Sequence, residues 1–143
     1  MLKYSIEGRM EYVPINSTPI DKKQAFLTNT LVLAYLGDAV QSLYVRNKLC
    51  ITDRHKSGEL HTLAVKEVSA KAQSEIVEKL LPLFNEDELA VYNRAKNSKP
   101  HSIAKNAPPD AYHRATGFEA VLGYLYLSGQ TDRLDFLLNH KEG

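Results

Sequence analysis

At 143 residues, 43% of them hydrophobic and 24% charged, the chain has the length of one domain and an ordinary globular composition, which excludes the disordered and fibrous classes. No apolar run approaches the roughly 18 residues of a membrane span, and the opening MLKYSIEGRMEY lacks the apolar core of a secretory signal, so the expected compartment is the cytoplasm. A net charge of +1 gives no global sign of a nucleic-acid partner, so any basic surface must be local.

In chain order, residues 1–24, with NSTPIDKKQ, predict an irregular arm leading into a helix. From Thr28 to Leu49, apolar residues at Val32, Leu33, Leu36, Val40, Leu43 and Tyr44 recur at spacings of three and four, which predicts a central helix with that stripe inward. Cys50, the only cysteine, cannot form an internal disulfide and reads as a small buried thiol at the end of this run. After a turn with Asp53 and Gly58, the stripe Leu60, Leu63, Ala64, Val68, Ala72, Ile76 and Leu80 predicts one continuous helix ending near Pro82.

Asn85 is an N-cap candidate for a helix of about three turns over EDELAVYNRAK, with acids in its first turn where the helix dipole favours them. Residues 97–109, NSKPHSIAKNAPP, predict a long loop. The run DAYHRATGFEAVLGYLYL predicts a helix with Phe118, Val121, Leu122 and Leu125 inward, closed by Ser128 and Gly129. A last helix, TDRLDFLLNHK, has Thr131 as its candidate cap. No useful strand alternation is present, so the chain reads as all-α, a single domain over 25–143 of about six helices. Local charge is polarised. Arg94, Lys96, Lys99, Lys105 and Arg114 face only Asp110 between positions 94 and 114, whereas acids dominate from Glu75 to Ala90.

Two carboxylates stand in apolar surroundings. Asp38 is the only charge in LVLAYLGDAV, and Glu119 is the only charge in TGFEAVLGYLYL. Such groups are costly unless they are paired, hydrogen-bonded or bound to a cation. Gly37 beside Asp38, and Gly123 one turn beyond Glu119, allow close helix approach. Two packed helices would then present oxygens to one hard metal ion such as magnesium. On spacing alone, an ordinary cap or an ion pair with Arg46 or Arg114 is the slightly better explanation of either acid. The five histidines show no zinc-binding spacing.

The string LAYLGDAVQSLYVRNKL resembles the signature helix of the ribonuclease III family, and FEAVLGYLYL resembles that family's second acidic helix. ELHTLAVKEVSAKAQ resembles the intervening helix, so the similarity runs from about Thr28 to Gly129. The family pattern carries a further Glu one turn before the signature Asp and a further Asp three residues before the second Glu. Here those positions are Ala34 and Thr116. These losses, the end of the chain at Gly143 without a double-stranded-RNA-binding domain, and the stretch RAKNSK resemble the compact Mini-ribonuclease III branch.

The resemblance implies a ribonuclease III-type endonuclease domain acting on double-stranded RNA, in maturation of the 23S ribosomal RNA precursor. It also implies Asp38 and Glu119 as the catalytic residues and Mg2+ ligands, and a homodimer with the signature helix at its interface. Whether a ribosomal protein assists on the substrate stays open. Lys66, Lys71, Arg94, Lys96, Lys99, Lys105 and Arg114 are the candidate RNA contacts, with the loop from Lys96 to Asn106 entering a groove. The losses at Ala34 and Thr116 keep alive a catalytically inactive ribonuclease III-like RNA-binding or ribosome-associated module. A third reading is a helical protein-interaction domain.

Overall fold

The computed structural model describes residues 16–52, 69–98 and 109–140, together with 3–4, 10–11, 59–60 and 62. In the N-terminal arm, β1 (Lys3–Tyr4) and β2 (Met10–Glu11) pair antiparallel with Lys3 opposite Glu11. Two-residue strands are too short to show as alternation, so this part of the arm reads as irregular from sequence. Its far end is tied down: Asn16 Nδ2 donates to the Tyr126 carbonyl at 2.9 Å, and the Ile20 amide donates to the Leu127 carbonyl at 2.9 Å. The short α1 (Lys22–Phe26) follows.

Among the described residues every longer element is a helix: α2 (Thr30–Thr52), α3 (Ala70–Leu80), α4 (Glu86–Lys96), α5 (Pro109–Leu127) and α6 (Thr131–His140). The central element is α5 rather than the expected α2, because α5 packs on α2, α3 and α4 together. Phe118, Val121, Leu122 and Leu125 are all fully buried, as their spacing predicts. Each such side chain contributes about 1.5–3 kcal/mol by leaving water. Asn29 starts α2, its side-chain oxygen accepting from the Leu31 amide at 2.9 Å.

Asn85 caps α4 in a reciprocal box. It accepts from the Glu88 amide at 2.9 Å, while Glu88 Oε1 accepts from the Asn85 amide at 3.0 Å. The fully buried Glu88 carboxylate is also met by Arg133 from α6, Nε to Oε2 at 2.7 Å and Nη2 to Oε1 at 2.8 Å. A buried acid is thereby neutralised by a two-pronged partner, and the start of α4 is fastened to α6.

Four further expectations change. The buried face of α2 carries Leu33, Ala34, Val40, Gln41, Tyr44 and Val45, whereas Val32 and Leu43 are exposed at 56% and 43%. α2 is apolar on more than one side, so periodicity alone cannot choose the inward one. Cys50 is exposed near the end of α2 rather than buried. The helix expected to run unbroken from Leu60 to Leu80 breaks at Ser69, whose extended backbone (φ −63°, ψ 153°) and side chain cap α3. That break resets the helical phase. The buried residues of α3 are Gln73, Ser74, Val77 and Leu80, and the expected Ala72 and Ile76 are only half-buried. Finally, Gln130 rather than Thr131 accepts the first backbone bond of α6, from Leu134 at 3.0 Å. Asp53, Gly58, Leu63, Ala64, Val68 and the loop over 99–108 lie outside the described residues.

Candidate active site

Glycine decides how close α2 and α5 come. A methyl group at Gly37 would stand 1.7 Å from the Glu119 carbonyl oxygen, and one at Gly123 would stand 1.9 Å from the Leu33 carbonyl oxygen. No side chain fits at either point, so the two backbones touch. Advancing along α2 from Leu33 to Gly37 moves the contact on α5 back from Gly123 to Glu119, which makes the helices antiparallel. The residue after Gly37 is Asp38, and the contact at Gly37 is with Glu119 itself.

The two acids therefore meet. Glu119 is half-buried, Asp38 is exposed at the rim, and their side chains are hydrogen-bonded. Burial first, then the hydrogen bond and negative charge of Asp38, push the Glu119 carboxyl up to about 9, while a hydrogen bond from the Gln73 side chain pulls the other way. In that hydrogen bond a proton held on Glu119 is donated to the Asp38 carboxylate. Among the described residues no Lys or Arg pairs with either acid, so the expected pair with Arg46 or Arg114 is not formed. Arg114, one of the expected cations, instead bonds Glu78 on α3 at 2.6 Å and Asp110 at 3.2 Å.

The donor set suits a hard cation. It consists of carboxylate oxygens, one of them at the solvent edge where water and phosphate can complete an octahedron. No group of three or more His, Cys, Asp or Glu that could hold a metal ion occurs among the described residues, so a thiolate or imidazole zinc site is not formed there. The two positions where the family pattern carries acids add nothing to the ligand set. Ala34 is buried, and buried Thr116 gives its hydroxyl to the Tyr112 carbonyl at 3.0 Å.

Sequence reasoning missed the polar layer behind the acids. Gln73 is 1% exposed and reaches Glu119 from α3. Gln41, one turn beyond Asp38, is fully buried with neither amide atom hydrogen-bonded. The available signal was a glutamine on each side of an apolar stripe, visible for Gln73 only once the helix is cut at Ser69.

The basic candidates divide. Lys71 is exposed on α3 and Lys96 half-buried at the end of α4. Arg94 is exposed but engaged, donating to the Phe26 carbonyl at 2.5 Å and lying 4.6 Å over the Phe26 ring, which ties α4 to α1. Arg114 is held by acids. Lys66, Lys99 and Lys105 lie outside the described residues.

An all-α domain with paired acids on two antiparallel, glycine-joined helices is the architecture that the signature strings imply, and the Ribonuclease III domain family matches residues 31–130. Similar proteins include a Mini-ribonuclease 3 of Brevibacillus brevis, 49% identical over 76% of this chain and 81% of its own length. Another, from Enterococcus faecalis, is 42% identical over 78% and 86%, and one from Thermoanaerobacter is 42% identical over 86% and 87%. A crystal structure of a Fusobacterium nucleatum protein superposes with a TM-score of 0.73 at 28% identity, covering 80% of this chain and 91% of that one. The chain belongs to the ribonuclease III family, within its Mini-ribonuclease 3 branch, and its activity is that of an endoribonuclease.

Proposed function

We propose that the chain is a magnesium-dependent endoribonuclease that cleaves double-stranded RNA in ribosomal RNA maturation, on the 23S precursor, with Asp38 and Glu119 as its metal-binding and catalytic pair. The observation that carries this reading is the meeting of those two acids, without a basic partner among the described residues, where Gly37 of α2 touches the Glu119 backbone of α5. Magnesium, when bound, supplies Lewis acidity toward a phosphodiester and a nucleophilic water at neutral pH. Asp38 offers the exposed oxygens and Glu119 the recessed ones. No side-chain nucleophile is needed.

RNA recognition falls to Lys66, Lys71, Lys96, Lys99 and Lys105, which would bind phosphates and 2′-hydroxyls rather than base edges. Arg94 and Arg114 are weaker contributors because their guanidiniums already serve α1 and the acids of α3 and α5. A cytoplasmic site of action is part of the same proposal, and no described helix is long and apolar enough to cross a membrane. The direct test is incubation with structured RNA. Cleavage with magnesium that stops on chelation supports the enzyme, and RNA binding without cleavage supports the inactive relative.

A homodimer is part of the same proposal. Val32 (56% exposed), Tyr35 (83%) and Leu43 (43%) form an apolar stripe along α2, beside Asp38. A self-complementary stripe on one long helix suits a two-fold interface. Tyr35→Asp is expected to shift the sedimentation coefficient from dimer to monomer. An unchanged coefficient would remove this face of α2 from the interface.

A further inference from the structure

We infer that Gln73 is the positioning residue of the metal site, its side-chain amide holding the Glu119 carboxylate so that one oxygen stays turned toward the cation. The inference rests on the magnesium reading given above. It follows first from burial. Gln73 is 1% exposed on the inward face of α3, where each unbonded polar atom is costly, and since its Oε1 has no hydrogen-bond partner, its contact with Glu119 falls to Nε2. Its side chain reaches Glu119 on the neighbouring α5.

It follows second from what the site lacks. Glu119 ends a flexible side chain, and among the described residues no third carboxylate joins the two acids to confine it. Ala34 has no polar atom to offer. The Thr116 hydroxyl is committed to the Tyr112 carbonyl at 3.0 Å. Asp38 approaches from the solvent side and must itself serve the ion. Among the described residues, Gln73 is the side chain besides Asp38 that bonds Glu119, and an amide N–H can donate to a carboxylate without competing for the cation.

The backbone supports this assignment. The helix break at Ser69, with its cap to Ala72 at 3.3 Å and the Gln73 amide bonded to the Ser69 carbonyl at 3.0 Å, sets the phase of α3. In that phase position 73 faces α5. Groups that orient metal ligands from behind typically change metal affinity or activity by about 10–100-fold when removed.

The test is Gln73→Met, which keeps length and volume and removes the donor, with Gln73→Leu as a second variant in case the first is poorly folded. Binding of Mn2+ alone to the RNA-free protein is measured by electron paramagnetic resonance, and cleavage is measured across a magnesium titration. Expected are unchanged RNA binding, about tenfold weaker Mn2+ binding, and a magnesium requirement shifted upward by a similar factor, with cleavage largely recovered at high magnesium. Ion affinity and magnesium requirement equal to wild type in a folded variant overturn the role of Gln73 alone. A cleavage defect that magnesium does not repair overturns it too, because that is the mark of a structural role. If the wild-type protein itself neither binds Mn2+ nor cuts RNA, the metal-site reading falls and the inference with it.

Discussion

Replacing Asp38 by Asn or Glu119 by Gln is expected to lower cleavage of double-stranded RNA about 10³-fold or more, roughly 4 kcal/mol of lost transition-state stabilisation, while folding and RNA binding persist. Both variants keep the shape of the side chain and remove the charge that the cation needs. The two differ in the ion-free protein. Glu119, pushed up to about 9, still holds its proton between pH 4.5 and 9, where in the unfolded chain it has released it. The folded state therefore binds more protons over that window, so the contribution is fully present below about 4.5 and is lost as pH rises through about 9.

Thermal unfolding in chelator should accordingly show stability falling by about 2–4 kcal/mol from pH 5 to pH 9, the figure reduced because Glu119 keeps some contact with water. Glu119→Gln should flatten that slope. An ion binding to Glu119 must displace its proton, so divalent-ion affinity should climb with pH, by up to about tenfold per unit below pH 9. A pH-independent stability in chelator, the same in wild type and Glu119→Gln, would mean that the two acids do not share a proton.

The second large effect belongs to the glycines. Gly37→Ala and Gly123→Ala each place a methyl group inside 2 Å of a carbonyl oxygen on the facing helix, and backbone cannot rotate aside as a side chain can. The helices must separate or slide. Each change is expected to cost about 3 kcal/mol or more, a large share of the 5–15 kcal/mol that holds a domain of this size together. Cleavage should fall with it, because separation of α2 from α5 draws Asp38 away from Glu119. Chemical denaturation checks the first effect and magnesium-dependent cleavage the second. A wild-type denaturation midpoint for Gly37→Ala would show that the crossing is looser than the backbone contact at Glu119 implies.

These two results bear on how far the site is legible in the sequence. Asp38 and Glu119 are visible because a lone acid in an apolar run has few inexpensive explanations, and because LGDAV and FEAVLGY are specific strings. Gln73 is not visible in the same way, since a glutamine on a helix carries no cost until it is known to be buried. Its burial depends on the break at Ser69, which a periodic apolar stripe running through that point conceals. Arg94 and Arg114 mislead for a related reason. Sequence counts their charge, but only folding shows that Phe26, Glu78 and Asp110 already occupy it.

By itself the sequence determines the all-α class, the inward face of α5 and the capping box at Asn85, because helix periodicity, apolar burial and caps are local properties read within a few turns. It also singles out the two acids. Tertiary structure alone decides which side of α2 is buried, since an apolar helix offers several faces and only the partner chooses among them. It alone decides that Gly37 lies on Glu119 and that Gln73 stands behind it. Those are contacts between helices distant in the chain, set by the approach of one backbone to another.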